Sequence, residues 1–159
     1  NLNRVYFITT GSSASASELV MNSLSSYIDV SSVGKTTIGK VHGSVTLYDS
    51  DNYTRTGNNL ANDHTWALQP LVLEILNKDS FNDPNGITPT VELAEDYENL
   101  GVLGERSDPL LDRTILLIAT GGRSMNTRIN EFSELKQISN SKENYPSGNN
   151  MFIELKKKK

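Results

Sequence analysis

The first thirty or so residues constrain the fold more than any other part of the chain. Val5-Tyr6-Phe7-Ile8-Thr9 is a β-branched and aromatic run, and Gly11-Ser12-Ser13 behind it is a turn signal. Ala16, Leu19, Val20, Leu24, Tyr27 and Ile28 then recur at helical spacing, which predicts a helix with one apolar face. Ser15 and Glu18 have the identities and spacing of a capping box, so the helix is predicted to start between Ser13 and Ser17. Val30, Val33 and Ile38 read as a second strand region, broken by Gly34 and ended by Gly39, and Val45-Thr46-Leu47-Tyr48 reads as a third. Strand, helix, strand and strand in that order predict an α/β domain.

Farther on, Asp49 to Asp63 is a polar stretch and reads as a surface loop. Pro70 divides the apolar segment Trp66 to Leu76, favouring two short strands over one helix, since an interior proline removes a helical hydrogen bond. Asp83-Pro84-Asn85-Gly86 is a turn. Asp108 and Pro109 suit the N-cap and first position of a helix through Leu110, Leu111, Thr114, Ile115 and Ile118, stopped by Gly121-Gly122. Beyond Gly122 the chain turns polar, with a weak helical pattern near Phe132 to Ile138 and a loop-like stretch from Ser139 to Asn150. Residues 123–159 read as a polar extension with a basic tail, and no internal repeat or domain linker interrupts the chain.

Composition removes several functions. The chain has no cysteine, which excludes disulfides, thiolate catalysis and Cys-ligated metal. Its two histidines, His42 and His64, lack a partner at metal-ligand spacing, so no metal and no cofactor are expected. A net charge of −4 argues against a broad nucleic-acid surface, and the Lys156–Lys159 run reads as a solvated tail. No apolar run reaches the length of a membrane span. The chain opens directly on a strand-like sequence with no leader, which leads us to expect more protein before residue 1.

Two residues could carry chemistry. A serine at a helix mouth, after a strand and a tight turn, can be a cap; it can equally be a nucleophile whose oxyanion is met by the helix N–H groups. Ser15 fits both descriptions, with the Ala16 backbone N–H as the natural oxyanion donor. Lys40 ends Ile38-Gly39-Lys40. It can be a solvated strand end, or a desolvated amine neutral enough to take the serine proton. Gly34-Lys35-Thr36-Thr37 is not a phosphate loop, because Asp29 stands where the first glycine belongs and no helix is predicted after it. A hydrolase built on His42 or His64 has no positional support, and the Asn52-Tyr53-Thr54 glycosylation pattern arises too often by chance to carry weight.

Thr10-Gly11-Ser12-Ser13-Ala14-Ser15-Ala16-Ser17-Glu18 resembles the nucleophile motif of the C-terminal processing (tail-specific) serine peptidases. Val33-Gly34-Lys35-Thr36-Thr37-Ile38-Gly39-Lys40 resembles that family's lysine-bearing strand, and the twenty-five residues from Ser15 to Lys40 match its spacing. Gly86-Ile87-Thr88-Pro89 and the helix opened by Asp108-Pro109 resemble its downstream strand and closing helix. The resemblance covers residues 1–122. It implies the C-terminal part of a crotonase-like α/β catalytic domain that hydrolyses protein or peptide substrates through a Ser15–Lys40 dyad and an acyl-enzyme.

His64-Thr65-Trp66-Ala67-Leu68-Gln69-Pro70 is most like secreted or lipid-anchored members from Bacteroidetes, implying a periplasmic or cell-envelope location. Many members carry a glutamine four residues after the lysine to orient its amine; here Ser44 holds that place. The family's glycine-rich segment, which supplies a second oxyanion donor, and its PDZ domain both precede the nucleophile strand and are expected upstream of residue 1. Residues 1–159 alone are accordingly expected to be weakly active or inactive. The competing reading is a non-catalytic binding or scaffold domain that keeps the peptidase fold.

Overall fold

The computed structural model describes residues 2–121 together with Ile138, Ser139 and Asn144. The predicted helical pattern near Phe132, the loop after Ser139 and the lysine tail otherwise lie outside the described residues. In chain order the elements are β1 (Arg4–Thr9), α1 (Ala16–Ser25), β2 (Asp29–Gly34), β3 (His42–Ser44), β4 (Leu47–Tyr48), β5 (Ala67–Leu68), β6 (Leu71–Glu74), β7 (Val91–Glu92) and α2 (Pro109–Ala119). They fall into two compact units, one of residues 2–44 and 71–121, the other built on residues 45–70.

In the first unit β1, α1 and β2 form a βαβ crossover. β1 and β2 run parallel in register from Arg4↔Asp29 to Thr9↔Gly34, and β7 joins β2 through Val33↔Val91 and Gly34↔Glu92. The sheet order is β1-β2-β7, so β2 is central and its Val33 is wholly buried, as a strand flanked on both sides should be. Val33, Val91 and Leu93 pack with Leu110 and Leu117 of α2, and Tyr6 closes on that cluster from β1. α2 starts as its sequence predicts: Asp108 Oδ1 accepts from the Leu110 and Leu111 N–H groups, and Pro109 fills the first turn. Buried Thr114 satisfies its hydroxyl on the Leu110 carbonyl at 2.7 Å.

Three expectations need correction. The second strand region does not continue past Gly34 to Ile38; residues 35–41 have no strand ladder. Gly34 has φ 138°, and a Cβ there would lie 1.7 Å from the Thr9 carbonyl oxygen, so the chain crosses tightly over the end of β1. Lys35 N–H donates to Thr9 O at 3.0 Å, and Thr9 Oγ1 donates to Lys35 O at 2.9 Å. The third strand is shorter than Val45–Tyr48: only Leu47–Tyr48 forms β4, which pairs with β5 in the second unit, while β3, paired antiparallel with β6, is a strand the sequence reading lacks. Pro70 separates β5 from β6 as predicted.

The third correction concerns the face that α1 buries. Leu19, Val20 and Tyr27 are 40%, 47% and 69% exposed, whereas Glu18, Met21 and Asn22 are buried. Two polar residues can occupy that face because both are satisfied. Asn22 Nδ2 donates to Phe81 O at 2.9 Å and its Oδ1 accepts from Asn77 Nδ2 at 3.1 Å, as buried amides must. Glu18 is the second case, and it lies at the centre of the site.

Candidate active site

The helix begins where the capping pattern predicts, with Ser15 as N-cap and Ala16 as first helical residue. The Ser15 backbone is unusual, with φ 56° and ψ −106°. A non-glycine residue in this region stores on the order of 1–3 kcal/mol and persists only where its surroundings hold it. Ser13 N–H donates to Thr10 O at 3.0 Å, and Thr10 N–H donates to Ser13 Oγ at 3.0 Å, closing the turn ahead of it. The result is a sharp strand–turn–helix elbow that leaves Ser15 partly exposed at its apex.

Glu18 fixes the other side of the elbow. Its Oε2 accepts the Ser15 N–H at 2.7 Å. Both halves of a capping box are within reach, but only this carboxylate half has good hydrogen-bond geometry; the Ser15 hydroxyl makes no side-chain cap bond of that quality. As the first residue of the helix, Ala16 has a backbone N–H without an intrahelical partner, and no acceptor meets it among the described residues.

The same carboxylate organises the segment that carries Lys40. Glu18 Oε1 accepts from Thr37 Oγ1 at 2.6 Å and from the Gly39 N–H, while Oε2 also accepts the Lys40 N–H at 2.9 Å. Ile38 N–H donates to Ser13 O at 2.9 Å, laying this segment directly on the serine turn. Four donors occupy two oxygens, about the full acceptor capacity of a carboxylate. Burial pushes the Glu18 pKa up, but the Thr37 hydroxyl and the Gly39, Ser15 and Lys40 N–H groups together outweigh it, holding the carboxyl below its ordinary value. Glu18 is 4% exposed, and this is a site where a buried charge is tolerated because each lone pair is used.

The structure thus brings the Ser15 and Lys40 backbones onto one side chain. Lys40 is half-buried, and its side chain makes no ion pair or hydrogen bond with the described residues. Ser44 lies in β3 opposite Leu71, just past a bulge between Gly43 and Ser44, and its hydroxyl has no hydrogen bond among the described residues. A bulge shifts the alternation of side chains along a strand, so counting four residues from Lys40 does not fix which way Ser44 faces.

His42 is exposed on β3 opposite Glu74. His64 is held in the second unit, where its Nδ1 accepts from the Trp66 N–H and its Nε2 faces Asp49 Oδ2 at 3.3 Å. The Gly34-Lys35 segment leads into irregular chain, without the helix a phosphate loop requires. In the sequence Glu18 reads only as half of a capping box. Its contacts with Thr37, Gly39 and Lys40 span about twenty residues, and no local pattern announces them.

No family model matches the chain, and no curated protein is significantly similar to it. Among solved structures it is similar to a protein of Bacteroides fragilis NCTC 9343 provisionally assigned as an S41 protease, at 25% sequence identity and a TM-score of 0.59. The chain is similar to an S41 protease. That similarity covers 78% of this chain, and the chain spans 29% of the Bacteroides protein's length. An α/β fold like that of this structure accounts for the parallel sheet, the elbow and the helix α2.

Proposed function

We propose that this chain belongs to the catalytic domain of a serine endopeptidase of the C-terminal processing type, with a crotonase-like core and a Ser15–Lys40 dyad. The carrying observation is that Ser15 and Lys40 are tied by their backbones to one buried carboxylate oxygen, Glu18 Oε2. The strained Ser15 elbow, the Ala16 N–H that no acceptor meets among the described residues and the similarity to an S41 protease support the same reading.

In the proposed reaction the Lys40 amine takes the Ser15 hydroxyl proton as Oγ bonds the scissile carbonyl carbon. The carbonyl oxygen becomes an oxyanion, met by the Ala16 N–H at the positive end of α1. Collapse breaks the C–N bond, and the Lys40 ammonium returns its proton to the departing amine. Water then attacks the Ser15 acyl ester, giving its proton to Lys40, and the acid product leaves as Ser15 Oγ regains a proton. Glu18 moves no proton in this scheme; its four hydrogen bonds hold nucleophile and base in place. Ser44 is the residue that would orient the Lys40 amine.

The substrate is an accessible stretch of protein or peptide, and an extracytoplasmic, lipid-anchored setting is part of the proposal. The test is to quench the native protein with acid during turnover of a peptide ester and measure intact mass. An acyl adduct that maps to the Ser15 peptide and vanishes in Ser15→Ala supports the reading; hydrolysis with no adduct on Ser15 refutes it.

A further inference from the structure

Residues 35–41 belong to no sheet, yet a general base must be placed within hydrogen-bond reach of its proton. Part of that order comes from a second direction. Gly39 has φ 82°, and a Cβ there would lie 2.1 Å from the Pro84 carbonyl oxygen. Gly86 has φ 90°, and a Cβ there would lie 1.9 Å from the Thr37 carbonyl oxygen. Two backbones therefore cross in contact, and each needs a glycine at the crossing.

Two hydrogen bonds fasten the crossing. Thr37 N–H donates to Ile87 O at 3.2 Å, and Ile87 N–H donates to Thr37 Oγ1 at 2.8 Å. The Thr37 hydroxyl spends its own proton on Glu18 Oε1, so one oxygen links Ile87 to the carboxylate that holds Ser15 and Lys40. The turn is itself braced: Asp83 O accepts from the Gly86 N–H at 3.1 Å, and Asp83 Oδ1 accepts from Asn85 N–H and Nδ2 at 2.9 and 3.2 Å.

We propose that the Asp83–Gly86 turn, with Ile87, is a positioning element for Lys40: it clamps Thr37–Gly39 against Glu18 and fixes where the lysine side chain leaves the backbone. The catalytic consequence rests on the assignment of Lys40 as base. The clamp itself rests only on the crossing of the two glycines and the Thr37 hydrogen bonds. Misplacing a catalytic group by about 1 Å can cost a hundredfold in rate, so loosening the turn should act on turnover although no turn residue touches substrate.

The test compares Asp83→Ala, which removes the Asx brace, with Asp83→Asn, which keeps an oxygen acceptor at Oδ1. Gly86→Ala serves as a stronger perturbation. Three quantities are measured on the native protein: amide hydrogen exchange at Thr37 and Ile87, kcat and KM on an unstructured peptide, and the acid limb of the kcat–pH profile. Asp83→Ala is expected to speed exchange at both amides, lower kcat by about tenfold with KM nearly unchanged, and displace the acid limb. Asp83→Asn is expected to restore all three.

Faster exchange with wild-type kcat and an unmoved acid limb would overturn the positioning role. Unchanged exchange in Asp83→Ala would overturn the clamp. If Gly86→Ala fails to fold, the Asp83 pair still decides between these outcomes. A native protein with no peptidase activity, but with exchange responding as expected, would remove the peptidase reading and leave the clamp standing.

Discussion

Ser15 and Lys40 donate their backbone N–H groups to the same oxygen, Glu18 Oε2, at 2.7 and 2.9 Å. A helix cap needs only the first of these bonds. The second draws the lysine segment to the elbow and makes the buried glutamate a joint between two parts of the chain far apart in sequence.

Glu18→Gln should therefore be strongly destabilising. The amide keeps one acceptor oxygen and turns an NH2 group toward N–H and O–H donors that need acceptors. Leaving such buried groups unsatisfied costs about 3 kcal/mol, readable as a lower urea midpoint. A variant within about 0.5 kcal/mol of wild type would show that the four bonds are not formed together.

The same carboxylate sets a pH dependence. Its folded pKa is depressed by the hydrogen bonds that outweigh burial, so its contribution is complete above the unfolded glutamate pKa. That contribution declines as pH falls toward and through the lower folded value. Urea midpoints of wild type and Glu18→Gln should accordingly converge as the medium is made acid. A gap that stays constant from neutral pH down through the carboxylate range would contradict the depressed pKa.

Ser15→Gly should raise stability while removing the nucleophile. At an ordinary N-cap this change costs a few tenths of a kcal/mol. Here φ is 56°, a conformation glycine adopts freely, so relief of strain should yield about 1 kcal/mol. Thermal melting checks the sign: a lower Tm would mean that the Ser15 side chain supports the fold more than its backbone strains it.

How much of this was legible beforehand depends on the range of the interactions. Ser15 as N-cap, Asp108 with Pro109, the break at Pro70 and the Asp83–Gly86 turn are local chemistry, and each emerged where the residues placed it. The buried face of α1 did not. Periodicity counts Leu19 and Val20 as core, but Glu18 and Asn22 occupy the buried face because distant segments satisfy them. The path from Gly34 to Lys40 misled for a related reason. Ile38 reads as the end of a strand, yet the segment's hydrogen bonds go to Ser13, Glu18 and Ile87, and long-range partners leave no local pattern.

Ser44→Gln should be tolerated. Ser44 is half-buried, and its hydroxyl bonds nothing among the described residues, so no hydrogen bond among them is lost. Stability within about 0.5 kcal/mol of wild type is the expectation, with peptidase activity equal or modestly higher. A large fall in Tm would mean that Ser44 is packed away from the lysine.

The central claim is that Ser15 and Lys40 act as one catalytic unit, and its most direct test is kinetic. The native protein, Ser15→Ala, Lys40→Ala and the double variant are assayed on an unstructured peptide with a free C-terminus, with circular dichroism to verify the fold. Groups that act together are strongly non-additive. Each single variant is expected to lose at least about a thousandfold in kcat/KM, and the double variant to be hardly worse than either. Wild-type activity in a folded Ser15→Ala or Lys40→Ala protein would contradict the claim.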